Sequence, residues 1–225
     1  MAKRSVAKKT TKRKAKKATK QQTTARVRPA RSVPISSVIF NGASPSPADI
    51  IAIPPTSTFN HGLSSADERT MLRLLEVPGA KSRDCTPVTG PIRRRIKSRV
   101  DVGPFNVSGL DIAVDSLKAA FDEAAEQIPD VVALVKTAGM LCVRAKRTNP
   151  NSFSNHSWGT ALDLFFGEGV IPQGSPKTYR GCLQLAPFLN RHGWYWGAGF
   201  SGRSVDSMHF ELAKETIERA VRREA

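Results

Sequence analysis

Two short apolar segments that contain ionisable residues, GTALDLFF and SMHFEL, constrain this chain more than any other feature. Because side chains alternate between the two faces of a strand, Asp163 falls on the face opposite to Leu162 and Leu164. His209 and Glu211 likewise lie opposite to the large apolar residues of the second segment. A carboxylate within an apolar strand is costly unless a cation, a metal or several donors stabilise it. We therefore expect two strands that direct polar side chains into one cleft.

The segments around these two strands predict helices and further strands. Residues 110–128 place their apolar side chains along one stripe, as in an amphipathic helix. Helices are also expected over residues 66–77 and 182–193 and at the C-terminus, and strands over 140–145 and 194–200. This order predicts an α+β fold, in which flanking helices cover a small, mostly antiparallel sheet that carries the cleft.

The N-terminal part of the chain has a different composition. Residues 1–31 hold 13 of the 35 Lys and Arg and no Asp or Glu, and they offer too little apolar surface to offset the entropy of ordering. We expect them to form a disordered basic arm. Residues 32–62 are rich in Pro, Ser and Gly and are expected to be a linker, which leaves residues 63–225 as the folded domain. Beyond the arm, 22 Lys and Arg face 19 Asp and Glu, so the formal net charge of +16 belongs mainly to the arm.

Several classes of protein are disfavoured by what the sequence lacks. It has no apolar run of about 18 residues for a membrane span and no apolar core of a secretory signal, so that its localisation stays undecided. Three cysteines without a CxxC pair predict neither a disulfide framework nor a cysteine zinc site. A bridge from Cys85 to Cys182 or to Cys142 stays open for an oxidising compartment, with buried thiols otherwise. We expect a monomer.

His156, Asp163 and His209 are candidate metal ligands. Two imidazole nitrogens and one carboxylate oxygen suffice for a catalytic zinc ion, whose fourth position holds a water molecule. The residual charge of about +1 lowers the pKa of that water toward about 7. Asp206, three residues before His209, is placed to take its proton, and Arg144 or Arg147 to stabilise an oxyanion.

Each candidate also has an ordinary structural interpretation. A histidine is more often a surface or core residue than a ligand, Asp163 could cap a turn, and Asp206 could pair with Arg203. No short motif such as HExxH is present. Spacing alone therefore leaves both a metal site and a plain turn into a strand open.

Two motifs resemble a known peptidase family. SNHSWGTALD fits the pattern Ser-x-His-x-x-Gly-x-Ala-x-Asp, and DSMHFE contains Asp/Glu-x-x-His. With LCVRAKR and HGWYWGAGF, they resemble the zinc D-alanyl-D-alanine carboxypeptidases and L-alanyl-D-glutamate endopeptidases over about residues 85–212. This VanX/VanY-type group includes many phage endolysins, and the resemblance implies its fold.

The resemblance also implies roles for individual residues. His156, Asp163 and His209 would bind Zn²⁺. Asp206 would be the general base, and Arg144 would polarise the scissile carbonyl, with Arg147 as the second candidate. Ser154 and Arg147 would contact substrate near the zinc ion. The Asp at position 206, in place of Glu, resembles the endopeptidase branch.

The function that follows is hydrolysis of an amide bond in the stem peptide of bacterial peptidoglycan, by a carboxypeptidase or an endopeptidase such as an endolysin. The alternative is a protein that binds nucleic acid or another polyanion through residues 1–31, with the domain as a non-catalytic scaffold. A lytic enzyme that uses the arm to bind an anionic envelope would combine both.

Overall fold

The computed structural model describes residues 44–224, which form ten strands and five helices. The strands are β1 (Ile50–Ala52), β2 (Ile96–Asp101), β3 (Asn106–Leu110), β4 (Lys136–Gly139), β5 (Ala145–Lys146), β6 (Asn149–Phe153), β7 (Ala161–Phe165), β8 (Lys177–Tyr179), β9 (Trp194–Trp196) and β10 (His209–Leu212). The helices are α1 (Glu68–Leu75), α2 (Asp111–Gln127), α3 (Pro129–Val132), α4 (Arg180–Arg191) and α5 (Lys214–Glu224). Over this described range, none of the helices combines the length and the apolar character needed to cross a bilayer.

The main sheet has four antiparallel strands in the order β4-β7-β10-β9. Within it, β7 and β10 are the two strands predicted from alternation, and they pair directly with each other. The other strands form three two-stranded sheets, β1 with β8, β2 with β3 and β5 with β6. The predicted α+β class, with a small antiparallel sheet and flanking helices, is confirmed.

One face of the main sheet lies in the hydrophobic core. Leu162, Leu164 and Phe210 are fully buried, and the ring of Trp196 on β9 stacks on Phe210 with 5.8 Å between ring centroids. Helix α4 contacts both β7 and β9, and α2 packs against α4. The apolar stripe of α2 supplies buried residues such as Phe121, as its periodicity predicts. The opposite face of β7 and β10 carries Asp163, His209 and Glu211.

Residues 44–62 are part of the fold and differ from the expected linker. Here β1 pairs with β8, although the two are more than 120 residues apart in sequence. The ring of Phe59 packs against Trp196 at 4.8 Å, and the Asn60 side-chain amide donates a hydrogen bond to the Trp196 carbonyl oxygen at 2.8 Å. The folded region therefore begins before Leu63. The predicted basic arm, and residues 32–43 of the predicted linker, lie outside the described residues.

The segment from Met140 to Val143 is not the strand that its apolar residues predict. Val143 forms a single antiparallel bridge with Thr86, and a strand begins only at Ala145. A disulfide between Cys85 and Cys142 joins the same two segments. Of the two pairings left open by the sequence, the structure has this one, and Cys182 is a buried free thiol.

Candidate metal centre

Asp163 and His209 lie directly opposite each other on β7 and β10. Their side chains project from the face of the sheet that is turned away from Leu162 and Phe210, as the alternation predicts. Asp163 Oδ1 is 3.0 Å from His209 Nδ1. The register of one strand pair thus sets the distance between these two side chains.

His156 reaches the same point from a 3-10 turn, Asn155–Trp158, just before β7. The turn ends at Gly159, whose φ of +64° is in the left-handed region that favours glycine. His156 Nε2 lies 3.4 Å from Asp163 Oδ1, and the two imidazole centroids are 5.2 Å apart. His156, Asp163 and His209 each offer one ligand atom, and these three atoms lie within 4.8 Å of one another.

The donor atoms fit a metal ion. His156 Nδ1 lies 2.9 Å from the carbonyl oxygen of Met140, which can only accept a hydrogen bond. His156 Nδ1 therefore carries the hydrogen, and Nε2 presents a lone pair. That Nε2 atom is buried and has no hydrogen-bond partner anywhere in residues 44–224. An imidazole nitrogen without a hydrogen-bond partner, beside a carboxylate oxygen and a second imidazole, belongs to a donor set that can hold a metal ion. We therefore take these residues as a candidate metal site.

The pKa values of the cluster show that it favours positive charge. Burial by itself raises the pKa of Asp163, but the adjacent imidazoles of His156 and His209 hold it well below its usual range. Burial lowers the pKa of His209, yet the carboxylates of Asp163 and Glu211 raise it to about 10. The site therefore stabilises either a proton on His209 or a metal cation, and a metal would compete with that proton.

All seven candidate residues from the sequence line one cleft of about 480 Å³. The three metal-ligand candidates lie in it together with Asp206, Arg144, Arg147 and Ser154. Arg147 is exposed, whereas Ser154 is buried and its backbone N–H donates to the Arg144 carbonyl oxygen at 3.0 Å. The structure thus brings the predicted residues together, and their roles stay predictions.

Burial in this cleft shifts the pKa values of Asp206 and Arg144 in opposite directions. Burial raises the pKa of the Asp206 carboxyl, which the positive charge of His209 only partly offsets. Burial lowers the pKa of Arg144, as does the neighbouring Arg147, while Asp163 and Asp206 act in the opposite direction. Arg144 donates to the Ala145 carbonyl oxygen at 3.1 Å, and its side chain lines the cleft. Its guanidinium is thus available to an anionic group in the cleft.

Sequence reasoning missed three residues that support the ligands. They are Met140, Asn155 and Glu211. Met140 acts through its backbone carbonyl group. Because every residue has this group, the sequence could not identify Met140. Glu211 did have a signal, since alternation places it on the same face of β10 as His209, and a buried carboxylate needs donors.

The cleft holds two imidazoles, a carboxylate next to both, a second carboxylate and an arginine, which are groups that metal-assisted hydrolysis can use. Residues 147–212 match the family model described as D-alanyl-D-alanine carboxypeptidase. The predicted family resemblance is thereby confirmed for the segment that carries the site, and it indicates a peptidase. This segment includes His156, Asp163, Asp206 and His209, and begins after Arg144. Searches of curated proteins and of solved structures found no match.

Proposed function

We propose that this protein is a zinc peptidase that hydrolyses an amide bond in the stem peptide of bacterial peptidoglycan. The observation that carries the proposal is the buried Nε2 of His156, which has no hydrogen-bond partner and lies beside the Asp163 and His209 pair. The family description, D-alanyl-D-alanine carboxypeptidase, supports a peptide of the bacterial wall as the substrate.

His156, Asp163 and His209 would hold the zinc ion. When bound, it would act as a Lewis acid and lower the pKa of a water molecule toward about 7. Asp206 would accept a proton from the water molecule whose oxygen bonds to the scissile carbonyl carbon, and would deliver that proton to the amine nitrogen as the C–N bond breaks. Because burial raises its pKa, Asp206 is a stronger proton acceptor than an exposed aspartate.

Arg144 is proposed to stabilise negative charge on the carbonyl oxygen of the scissile bond. Its half-buried guanidinium lines the cleft together with Asp206, and a charged donor fixed in a partly desolvated site acts more strongly than one in water. Arg147 and the Ser154 hydroxyl line the same cleft and would contact the substrate around that bond.

Digestion of purified peptidoglycan followed by mass spectrometry of the products tests the function. Released D-alanine would identify a carboxypeptidase, and a cut between L-alanine and D-glutamate would identify an endopeptidase, as expected for an endolysin. Cleavage outside the stem peptide, or none with zinc-loaded protein, would contradict the proposal.

The role of Asp206 is tested by Asp206→Ala and by the near-isosteric Asp206→Asn. We expect both to keep stoichiometric zinc, since Asp206 is not a ligand, and to lose about 10²- to 10⁴-fold in turnover. Asp84→Asn removes an exposed carboxylate outside the cleft and serves as the matched control. Undiminished turnover in Asp206→Ala would remove Asp206 from the mechanism.

A second proposal concerns residues 1–31, because 13 positive charges without an acidic residue favour binding to a polyanion. Deleting this basic arm should weaken binding to cell envelopes and reduce its salt sensitivity, while hydrolysis of short soluble peptides stays unchanged. If the deletion removed all function and the purified protein held no stoichiometric metal, the scaffold alternative would replace the peptidase.

A further inference from the structure

Glu211 is a buried carboxylate that the proposed mechanism does not use. It lies on β10 two residues after His209, and only 3% of its surface is exposed. Its two oxygens divide their contacts between different parts of the fold. Oε1 accepts from the Ser65 hydroxyl at 2.6 Å and the Ala66 N–H at 3.1 Å. Oε2 accepts from the Asn155 side-chain amide at 2.8 Å and lies 3.1 Å from His209 Nε2.

These contacts determine which nitrogen of His209 can bind a metal. A carboxylate can only accept hydrogen bonds, so Nε2 of His209 must carry the hydrogen that it shares with Glu211. The lone pair of the neutral ring is then on Nδ1, the atom that lies 3.0 Å from Asp163 Oδ1. In a neutral ring one bare nitrogen always faces a carboxylate oxygen, either Nε2 facing Glu211 or Nδ1 facing Asp163. A cation shared with Asp163 and His156 relieves the repulsion only at Nδ1, which favours the tautomer with the hydrogen on Nε2.

In His156 the two ring nitrogens have the opposite roles. The Met140 carbonyl oxygen accepts from Nδ1 of His156, which leaves Nε2 for the metal. The two histidines therefore present different ring nitrogens to one point, and a different acceptor fixes each. Glu211 also contacts the turn that carries His156, because Asn155 precedes that histidine and donates to Oε2.

We propose that Glu211 is a positioning residue for the metal centre, which fixes His209 as an Nδ1 ligand and connects both histidines to the Ser65–Ala66 segment. This inference rests on the proposed metal site, but not on the substrate. Outer acceptors of this kind orient histidine ligands and raise their basicity, and their loss typically weakens metal binding about 10- to 100-fold.

Glu211→Gln is the sharpest substitution, because it preserves size but has only one accepting oxygen for donors that approach from two sides. The amide NH₂ of Gln would then face either the donors from Ser65 and Ala66 or the donors from Asn155 and His209, and neither pair can accept its hydrogens. We expect its affinity for Zn²⁺, measured on chelator-treated full-length protein against a chromophoric chelator, to fall about 10- to 100-fold. The matched control is Glu215→Gln. In the wild type the Glu215 carboxylate accepts a hydrogen bond from the N–H of Ser64 and does not contact His209. It should bind Zn²⁺ as the wild type does.

Two further measurements separate positioning from a loss of fold. The d–d absorption of the Co²⁺-loaded protein should change in Glu211→Gln and stay the same in Glu215→Gln. In the Zn²⁺-loaded wild type, long-range proton–nitrogen NMR should show His209 bound through Nδ1 and His156 through Nε2, which needs no variant to fold.

The outcomes distinguish the positioning role of Glu211 from the proposed zinc peptidase function. Metal bound through Nε2 of His209, or equal Zn²⁺ affinity in Glu211→Gln and the wild type, would overturn the role of Glu211 alone. A wild-type protein that binds no Zn²⁺ would overturn both that role and the proposed zinc peptidase. The expected nitrogen assignment without peptidoglycan cleavage would leave the role of Glu211 standing and remove the proposed substrate.

Discussion

Asp163 and His209 face each other across two adjacent antiparallel strands, with 3.0 Å between Oδ1 and Nδ1. Their backbones are joined by the ladder of the main sheet, so their separation does not depend on a loop. Only His156 approaches from a turn. The candidate centre therefore has two rigidly placed ligands and one whose position depends on the packing around Gly159 and Met140.

Replacing Asp163 by Asn should remove most of the metal while the fold persists. The amide keeps the shape of the side chain but lacks the charge that offsets a divalent cation, and it cannot bind as a carboxylate. We expect elemental analysis to find far less than one zinc per chain, with an unchanged far-ultraviolet dichroism spectrum. Asp115→Asn, which removes an exposed carboxylate paired with Lys97, is the control. A full complement of zinc in Asp163→Asn would exclude Asp163 as a ligand.

Gly159→Ala should destabilise the protein and displace His156. A Cβ at this position would lie 2.5 Å from the Cα of Gly109, and φ of +64° is itself strained for alanine. We expect a loss of about 2 to 4 kcal/mol in the free energy of unfolding, with weaker zinc binding. Gly62→Ala is a matched control, because its φ is +68° but a Cβ would meet nothing within 4 Å.

Urea denaturation of Gly159→Ala and Gly62→Ala separates the two contributions. Gly62→Ala should cost only the backbone strain, about 1 kcal/mol. Equal losses in both variants would mean that close approach to Gly109 contributes nothing at position 159.

The parts of the fold that the sequence predicts are those governed by local periodicity. Alternation in β7 and β10 placed Asp163 and His209 on the face opposite to the core, and the apolar stripe of α2 located that helix. The expectation that both strands direct these side chains into one cleft agrees with their direct pairing in the main sheet. Sequence reasoning could therefore reach the candidate ligands before any coordinates.

The parts that it missed depend on contacts between distant segments. A three-residue strand such as β1 is too short to show a period, and it is stabilised by β8 far along the chain. The residues of the Met140–Val143 segment are apolar, which is typical of a strand. Their backbone groups, however, hydrogen-bond to Thr86 and His156 instead of to a neighbouring strand of a sheet. The donors of Glu211 come from three separate stretches, which no local pattern reveals.

The disulfide between Cys85 and Cys142 predicts a redox effect on both stability and metal binding. It closes a separation of 57 residues, for which loop entropy suggests a stabilisation of about 4 kcal/mol. Cys142 also donates its N–H to the His156 carbonyl oxygen at 3.0 Å, so the bridge holds a segment that contacts a candidate ligand.

A reductant should therefore lower the urea midpoint and the affinity for Zn²⁺ together. The double variant Cys85→Ala and Cys142→Ala should resemble the reduced protein and show no response to the reductant. Cys182→Ala, which removes the buried free thiol, should keep the response. If the wild-type protein is denatured without a reductant and three reactive thiols are then counted, the disulfide is excluded.

Glu68 gives the chain a pH-dependent contribution to stability that lies away from the metal centre. It accepts from the N–H of Phe153 at 2.7 Å and from Lys81 at 3.1 Å, and so joins α1 to β6. Burial by itself raises the pKa of Glu68, but these donors and the Ser152 hydroxyl outweigh it and hold the pKa below its ordinary value of 4.5. The folded state thus binds this proton less tightly than the unfolded state, so the stabilisation is full above pH 4.5 and is lost as pH falls through the lower, folded-state pKa.

Urea denaturation should show Glu68→Gln to be less stable than the wild type by about 1 to 2 kcal/mol at pH 7, with a smaller difference at pH 3. Glu76→Gln, whose ion pair with Arg94 is exposed, should change stability by less than about 1 kcal/mol at pH 7. A difference between wild type and Glu68→Gln that grows as the pH falls would contradict the assigned direction of the pKa shift.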